Sequence, residues 1–332
     1  MAAEDYLPWG DGWYPGEMEP IPNPETKPRM KDTTMSNIPM PKVPAPKRAA
    51  TTTAAPSATA PAKLNLADML GKQQTATEPG QFIILAGKGG TGKSTGALAK
   101  DGKTVFVDLE GSFAKIAKRA FALWPDREKD VTRFSFPFTE DGAADYETLC
   151  ALLEANGYDG YQTVVIDSWT VVQKLLKEYT FAHDQYKGKA CSSTEDYGYS
   201  TFPIYAFKNY TRIMNAMLAH VRAGRDVIVI AHAVDETIPD AALNDMKQWQ
   251  FDAFMMKSGK ESIRHDMFNA ADQVWFLTDG TVASDKGKAT AGCRMVYLNG
   301  TGTVMAKSRT YSGAPALLVP DGEALPWNLL NV

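Results

Sequence analysis

Residues 87–94 read GKGGTGKS and follow the short apolar run QFIILA of residues 81–86. This stretch fits the pattern G-x-x-x-x-G-K-[ST], in which a glycine-rich turn joins a buried strand to a helix. Glycines let successive backbone N–H groups turn inward, and the start of the following helix adds partial positive charge. The sequence therefore predicts a strand, a polyphosphate-binding loop and a helix, an arrangement typical of α/β proteins.

The polar side chains of this loop have separate expected roles. We expect Lys93 to reach the β- and γ-phosphates of a nucleotide and Ser94 to hold Mg²⁺ through its hydroxyl. Thr95 then begins the contacts behind the α-phosphate. The predicted cofactors are ATP and Mg²⁺, and ATP is favoured over GTP because the chain has no Asn-Lys-x-Asp segment of the kind that reads guanine. The candidate nucleotide-binding residues are Gly87, Lys88, Gly89, Gly90, Thr91, Gly92, Lys93, Ser94 and Thr95.

Apolar runs and helical periods alternate along the rest of the chain. Candidate strands lie at residues 104–108, 163–167, 227–231 and 273–277. Strands that alternate with helices predict a mostly parallel sheet covered by helices on both faces. After residue 290, the runs 294–298 and 303–307 flank Asn-Gly-Thr-Gly, a hairpin signal that predicts antiparallel strands at the end of the sheet.

Proline is concentrated at the N-terminus, where thirteen of the 20 prolines fall within the first 80 residues. Such a composition buries too little apolar surface to offset its chain entropy. We therefore predict a disordered Pro/Ala/Thr-rich tail over residues 1–79 and one globular domain over residues 80–332. Two interpretations of the tail remain open: a solubilising tether, or a docking peptide for a protein partner. The second is suggested by the aromatic residues Tyr6, Trp9, Trp13 and Tyr14.

Charge and cysteine usage limit the class of protein. A formal net charge of −4 argues against a generally basic nucleic-acid coat. The three cysteines are far apart and include no C-x-x-C pair, so neither a disulfide framework nor a zinc site is predicted. The chain has no apolar run of about 18 residues. We expect a cytoplasmic protein without a membrane-spanning segment.

The second strand leads into the segment VFVDLEGS, residues 105–112. It places Glu110 just beyond the strand end, and a carboxylate beside a terminal phosphate can orient water for in-line attack and accept its proton. Glu110 is therefore the candidate catalytic base; a solvated carboxylate at the strand end is the alternative. Asp108 is predicted to make a local structural contact or to contact a Mg²⁺-bound water.

The third strand, VVID, ends at Asp167 and is followed by Ser168. An aspartate at the carboxyl edge of a central parallel strand points toward the crevice where ligands of such sheets bind, and it can hold Mg²⁺ directly or through water. The candidate metal ligands are thus Ser94 and Asp167.

Five segments together resemble the phage-encoded RecA-like P-loop ATPases, a group that includes single-strand annealing proteins and AAA-domain nucleotide-binding proteins. They are residues 87–94, 108–111, 167–168, His232 and 307–309, within a resemblance that covers residues 80–312. It implies a RecA-like fold and ATP hydrolysis stimulated by single-stranded DNA, in phage recombination, annealing or replication in the host cytoplasm.

The same resemblance assigns roles to individual side chains. Glu110 polarises the attacking water, and His232, at the end of the strand VIVIA, senses the γ-phosphate; a histidine bonded only to backbone groups is the alternative. The segment MAKSRT, residues 305–310, is similar to the K-x-R segment of hexameric helicase and clock-type ATPases. Lys307 and Arg309 would then reach a neighbour's nucleotide in a homo-oligomer; an exposed basic strand end is the alternative.

Two other functions remain open from the sequence. Lys88 matches the extra lysine in the loop of partition and septum-site ATPases, which favours a switch that positions cargo. The second is an adaptor that is gated by nucleotide binding, hydrolyses little ATP and engages partners through its tail.

Contact with single-stranded DNA is expected in two segments, residues 182–202 and 234–269. Cations that hold phosphates and aromatic rings that stack on bases occur together in them. Acidic residues in the second segment offset its cations, so a solvated insertion or a protein-binding surface is the alternative. The residues concerned are Lys187, Lys189, Lys247, Trp249, Phe251, Lys257, Lys260 and Arg264.

Overall fold

The computed structural model describes residues 78–136, 145–197, 201–238, 245–254, 262–283 and 289–331. Residues 1–77 of the predicted tail lie outside these ranges, so the tail and its partner stay predictions. None of the helices in the described part of the chain combines the length and the apolarity needed to cross a membrane.

Strands and helices alternate through the first two thirds of the domain. The strands are β1 (Phe82–Gly87), β2 (Thr104–Asp108), β3 (Val131–Ser135), β4 (Thr163–Asp167), β5 (Gln185–Tyr186), β6 (Lys189–Ala190), β7 (Asp226–Ile238), β8 (Met246–Phe251), β9 (Gln273–Ala283), β10 (Ala289–Tyr297), β11 (Lys307–Ser308) and β12 (Ala316–Pro320). The α-helices are α1 (Lys93–Leu98), α2 (Phe113–Leu123), α3 (Tyr146–Glu154), α4 (Trp169–His183), α5 (Phe202–Arg222) and α6 (Ile263–Ala270). Two 3₁₀ helices span Pro125–Asp130 and Trp327–Asn331.

One large sheet organises the described residues, in the strand order β12-β10-β9-β1-β7-β4-β2-β3. The strands from β9 to β3 in this order pair in parallel, and β10 and β12 add antiparallel pairs at the other end. Strand β7 separates β1 from β4, so the strand before the glycine-rich loop and the strand that ends in Asp167 are not neighbours. The predicted α/β architecture, a mostly parallel sheet flanked by helices with C-terminal antiparallel strands, is confirmed.

Burial on both faces explains why the central strands are apolar throughout. In β1, Phe82 and Ile84 pack into the core on the side of α3, α4 and α5, whereas Ile83 and Leu85 pack into the core on the side of α1 and α2. All four side chains are fully buried. Each contributes roughly 1.5–3 kcal/mol relative to an exposed side chain, so one short strand joins both cores.

The C-terminal strands differ from the predicted hairpin. Strand β10 pairs with β9 and β12, and β11 pairs with β9 rather than with β10. The Asn-Gly-Thr-Gly segment forms a tight turn closed by a bridge between Thr301 and Val304. The antiparallel ending was therefore predicted correctly, but the pairing partner was wrong because the turn signal does not show which strand lies alongside.

Strand β7 belongs to two ladders. Its first half lies in the parallel sheet between β1 and β4, and residues Ala233–Ile238 pair with β8 in antiparallel register. We call the pair formed by residues 233–238 and β8 the ribbon. The sequence predicted a strand only over residues 227–231, which are apolar and buried; the second half of β7 has mixed polarity and no apolar run.

Asp108 stabilises the start of α2 and is itself fully buried. Its carboxylate accepts hydrogen bonds from the backbone N–H groups of Ser112 (3.1 Å) and Phe113 (3.3 Å). Arg133 of the neighbouring strand β3 donates to it from Nε (3.1 Å) and Nη2 (2.7 Å). The structural role predicted for this residue is thereby supported, since its oxygens are engaged by helix and strand.

Replacing this carboxylate should destabilise the domain. Asp108→Ala leaves Arg133 and two helix N–H groups without a partner, and we expect a loss of about 2–4 kcal/mol in the free energy of unfolding. Urea unfolding followed by circular dichroism measures it. Asp126→Ala, which removes a fully exposed partner of Lys129 at 3.9 Å, should leave the midpoint unchanged. Equal midpoints for the two variants would contradict the capping role.

Candidate functional site

The register of the parallel strands brings the predicted site residues to one edge of the sheet. Gly87 at the end of β1 stands beside His232 of β7, and Asp108 at the end of β2 stands beside Asp167 of β4. A pocket of about 430 Å³ opens at this edge. Its lining includes Gly89, Gly90, Gly92, Lys93, Ser94, Thr95, Glu110, Asp167 and His232. We call it the phosphate pocket.

The glycine-rich loop has the backbone that its sequence requires. Gly92, which precedes α1, has φ 79°, a conformation that side-chain-bearing residues rarely adopt. A Cβ on Gly87 would lie 2.4 Å from the carbonyl oxygen of Leu277 in β9, so only glycine fits there. The Thr91 hydroxyl donates to the Lys88 carbonyl at 3.0 Å and ties the loop to itself.

Lys93 is almost completely buried beneath the loop, with 5% of its surface exposed. Its ammonium donates to the carbonyl oxygens of Gly87 (2.9 Å) and Lys88 (2.7 Å). Burial lowers the pKa of Lys93, whereas the nearby carboxylates of Asp167 and Glu110 raise it. A buried ammonium held by its own loop is placed to bind phosphate oxygens in the same pocket.

Asp167 is buried with unsatisfied bonding capacity. Its pKa is raised to about 7, chiefly by burial; the carboxylates of Glu110 and Asp108 add to the rise, and the Ser94 hydroxyl and Lys93 oppose it. Among the described residues, its Oδ2 atom has no hydrogen-bond partner although water cannot reach it. The Oδ2 atom is therefore available to a ligand in the phosphate pocket.

The donor set at this point fits Mg²⁺. A carboxylate and a hydroxyl, Asp167 and Ser94, are oxygen ligands of the kind this ion takes, and Mg²⁺ usually completes its shell with waters and substrate phosphates. The described ranges contain no cluster of three or more His, Cys, Asp or Glu side chains able to hold a metal alone. A metal here would therefore be held jointly with a nucleotide.

Glu110 lies at the centre of a small hydrogen-bonded group. The Ser168 hydroxyl donates to its Oε1 atom, and Nε2 of His232 lies 3.5 Å from the same oxygen. About a third of the Glu110 side chain is exposed, toward the phosphate pocket. The sequence placed Glu110, Asp167 and His232 in one site, and the structure brings them together; the contact of Ser168 with Glu110 has no signal in the sequence.

Lys88 faces away from the phosphate pocket. Its ammonium lies 4.2 Å from the centroid of the Trp249 ring on β8, a cation–π contact. The contact joins the glycine-rich loop to the ribbon. Within one chain, Lys88 is thus engaged by an aromatic side chain instead of contributing to the pocket.

Lys307 and Arg309 are not brought to the phosphate pocket of their own chain. Lys307 pairs with Val274 of β9, whereas Gly87 at the start of the loop pairs with Leu277 of the same strand. The two levels are three residues, or about 10 Å, apart along β9. Its ammonium donates to the carbonyls of Phe268 (2.8 Å) and Asn269 (3.1 Å) near the end of α6. Arg309 donates to the Asp272 carboxylate (2.7 Å) and the Asn269 carbonyl (2.6 Å). Their action on a neighbouring chain stays a prediction.

The two predicted DNA-contacting segments are only partly accessible. In the second, Phe251 is fully buried, and Arg264, with 2% of its surface exposed, pairs with Glu236 at 2.7 Å. These two are therefore corrected to structural residues, since Phe251 packs into the core and Arg264 pairs with Glu236 of the ribbon. Lys257 and Lys260 lie outside the described residues. The exposed lysines that remain are Lys187, Lys189 and Lys247.

A second cavity, which no sequence pattern indicates, adjoins the phosphate pocket. It has a volume of about 370 Å³ and shares Gly90, Gly92, Thr95 and Arg119 with the phosphate pocket. Its far wall includes Trp124 and, from β10, Arg294. We call it the side cavity. Arg294 could not have been found from the sequence, because only the folded sheet brings β10 beside the loop.

Comparisons with known proteins found one matching family and similar solved structures. A family model described as an AAA domain matches residues 80–310. No curated protein sequence matches the chain. Among solved structures, the crystal structure of flagellar accessory protein FlaH from Methanocaldococcus jannaschii is similar, with 11% identity and a TM-score of 0.39, over 74% of this chain and 88% of that one.

Replacing Asp167 should make the ligand-free protein more stable and at the same time weaken its binding of Mg²⁺ and nucleotide. Because its folded pKa is raised above 3.8 to about 7, the native state holds the proton more tightly, and stability falls as pH rises from about 4 to about 7. Asp167→Asn should therefore raise the Tm of the ligand-free protein at pH 8, by about 3 °C or more. It should also abolish the further rise in Tm that Mg²⁺ with an ATP analogue produces.

Differential scanning fluorimetry between pH 5 and 8 measures both effects. Asp101→Asn, at an exposed turn, is the matched control and should behave as wild type. An Asn variant less stable than wild type at pH 8 would contradict the raised pKa.

Proposed function

Because the chain belongs to the AAA domain family over residues 80–310, we propose that this P-loop protein is a Mg²⁺-dependent ATPase. In the fuller form of the proposal, hydrolysis is stimulated by single-stranded DNA. It serves recombination, single-strand annealing or replication of a bacteriophage in the host cytoplasm. The observation that carries the proposal is the convergence of Lys93, Ser94, Asp167 and Glu110 on one pocket at the carboxyl edge of the parallel sheet.

The pocket divides its tasks between the loop and the strand ends. The loop N–H groups and Lys93 would bind the triphosphate, and Ser94 and Asp167 would hold the metal. Bound Mg²⁺ would neutralise charge on the β- and γ-phosphates. Glu110 would orient a water molecule for in-line attack and accept its proton. Ser168 and His232 position that carboxylate, because both contact its Oε1 atom.

His232 also offers a route from the nucleotide to a distant surface. It is the last residue of β7 in the parallel sheet, and the ribbon begins with the next residue. A change at Glu110 on hydrolysis would act on His232 and through it on the ribbon. Lys88 and Trp249 form a second contact between the loop and the ribbon. These contacts support coupling between nucleotide state and an external partner.

The single-stranded DNA proposal is supported by the exposed hairpin β5–β6. Lys187 and Lys189 are exposed at its turn, and the Lys187 ammonium lies 4.9 Å from the centroid of the Tyr186 ring. Cations for phosphates beside an aromatic ring for bases are the usual elements of single-strand binding. Lys247 adds a further exposed cation on the ribbon.

Removing the carboxylate charge of Glu110 tests the hydrolytic role. Glu110→Gln keeps the shape but cannot accept a proton, so we expect the ATPase rate to fall about 100-fold or more, with nucleotide affinity within about threefold of wild type. Steady-state phosphate release and equilibrium binding of a fluorescent nucleotide measure the two quantities. Glu128→Gln, at an exposed position of the first 3₁₀ helix, is the control. An unchanged rate in Glu110→Gln would show that another group is the base.

Salt dependence tests the DNA-binding hairpin. Single-stranded oligonucleotides should stimulate wild-type hydrolysis, and the double variant Lys187→Ala/Lys189→Ala should bind them more weakly. Because each phosphate contact contributes about 0.7 to the salt slope of single-strand binding, the slope should shrink by about 1.4. Fluorescence anisotropy across a salt series measures it, with Lys129→Ala as the control. Absence of stimulation at every salt concentration would remove the recombination proposal and leave the ATPase intact.

A further inference from the structure

Helix α2 follows Glu110 directly and is unusual in its charge. It carries Lys115, Lys118 and Arg119 and contains no acidic residue. Two of these cations, Lys115 and Arg119, lie four residues apart and both line the phosphate pocket, whereas Lys118 lines neither the pocket nor the side cavity. One face of the helix therefore presents two positive charges to the pocket.

These charges are arranged at an electrostatic cost. Like charges four residues apart on a helix repel each other, and Lys115 lies in the first turn of α2, where the helix dipole disfavours a cation. Within the described part of the chain, neither Lys115 nor Arg119 has a hydrogen-bond or ion-pair partner for its side chain. Glu110 and Asp167 line the same pocket, but among the described residues neither forms an ion pair with Lys115 or Arg119, so both cations are available to a bound anion.

A third cation adds to the imbalance from the opposite side. Arg294 of β10 has 8% of its surface exposed, and one of its nitrogens, Nη1, lies 3.0 Å from the position that a Cβ on Gly92 would occupy. Burial lowers the pKa of Arg294, the carboxylate of Asp321 in the side cavity opposes this, and the charge of Arg119 lowers the pKa further. Its Nε atom has no partner among the described residues. Arg119 and Arg294 thus flank the junction of the phosphate pocket and the side cavity.

The positions of the two α2 cations differ along the pocket. Lys115 lines only the phosphate pocket, which it shares with Glu110 and Ser112. Arg119 lines both the phosphate pocket and the side cavity, as does Thr95, the residue expected behind the α-phosphate. Lys115 thus lies at the Glu110 end of the pocket and Arg119 at the Thr95 end.

We propose that Lys115 and Arg119 are phosphate-contacting cations that the chain supplies to its own bound nucleotide. Lys115 contacts the terminal phosphate and Arg119 the phosphate next to the nucleoside. This rests on the proposed ATPase function and deepens it. Cations placed in advance stabilise the charge that grows on the phosphate oxygens in the transition state. With these two cations in place, hydrolysis would not require a Lys or Arg side chain from a neighbouring chain. Lys307 and Arg309 could then keep their contacts near the end of α6.

Alanine variants of the three α2 cations test the proposal. Lys115→Ala should lower kcat about 100-fold while the Kd for ADP stays within about twofold of wild type. Arg119→Ala should raise the Kd for ATP and for ADP equally, by about tenfold or more. Lys118→Ala is the matched control for net charge and should change neither quantity. A Lys115→Ala rate equal to that of Lys118→Ala would overturn the role of Lys115, and unchanged ADP binding in Arg119→Ala would overturn that of Arg119.

Thermal unfolding distinguishes a ligand role from a structural one. Without nucleotide, Lys115→Ala and Arg119→Ala should be at least as stable as wild type, because each relieves repulsion. With ADP, the Arg119→Ala variant should gain less in Tm than wild type. A lower Tm without nucleotide would assign these side chains to the fold and contradict the proposal.

Mixing variants distinguishes action within a chain from action between chains. Lys93→Ala subunits mixed with Lys115→Ala subunits should show no restored hydrolysis, since each site lacks one of its own residues. Restored hydrolysis would mean that Lys115 acts on a neighbour. If wild-type protein neither binds nor hydrolyses ATP, the ATPase proposal itself fails. If the wild type is active and the α2 variants are unaffected, only the proposal on Lys115 and Arg119 fails.

Discussion

Hydrogen bonds between parallel strands fix which residues stand side by side, and here they place Gly87 beside His232 and Asp108 beside Asp167. A slip of one residue in any of these pairs would turn a site side chain to the other face of the sheet. The slip is prevented by burial, because the strand interiors are apolar on both faces and pack into two cores. The geometry of the site therefore depends on the packing of core residues that are not themselves part of the site.

Charge at the sheet edge is left unbalanced in the absence of a ligand. Lys93 is buried against its own loop, Asp167 is buried with a raised pKa, and the α2 cations have no described partners. Each of these groups is costly alone, and the proposed Mg²⁺-bound polyphosphate would compensate them together: the metal for Asp167, the phosphate oxygens for the cations. Stability and binding would then be linked, since the same groups that weaken the ligand-free protein would strengthen its complex.

Local patterns predicted the strand before the loop, the loop itself and the carboxylates that follow β2 and β4. These features are encoded in consecutive residues, so a single stretch such as 81–95 suffices to recognise them. The contacts of Ser168 with Glu110 and of Lys88 with Trp249 were not predictable, because they join residues far apart in the chain. The expected accessibility of Phe251 and Arg264 was wrong for a related reason: a loop signal does not reveal which of its residues complete the core. The charge of α2 was readable, but its direction depends on how the helix packs.

Strand β7 has a mechanical consequence. Thirteen residues, Asp226–Ile238, run without interruption from the middle of the parallel sheet into the ribbon. Its first half is held on both sides by β1 and β4, and its second half is held on one side by β8. A force applied to the far end of the ribbon would therefore act along one continuous backbone on His232, whose Nε2 atom lies 3.5 Å from the Glu110 carboxylate.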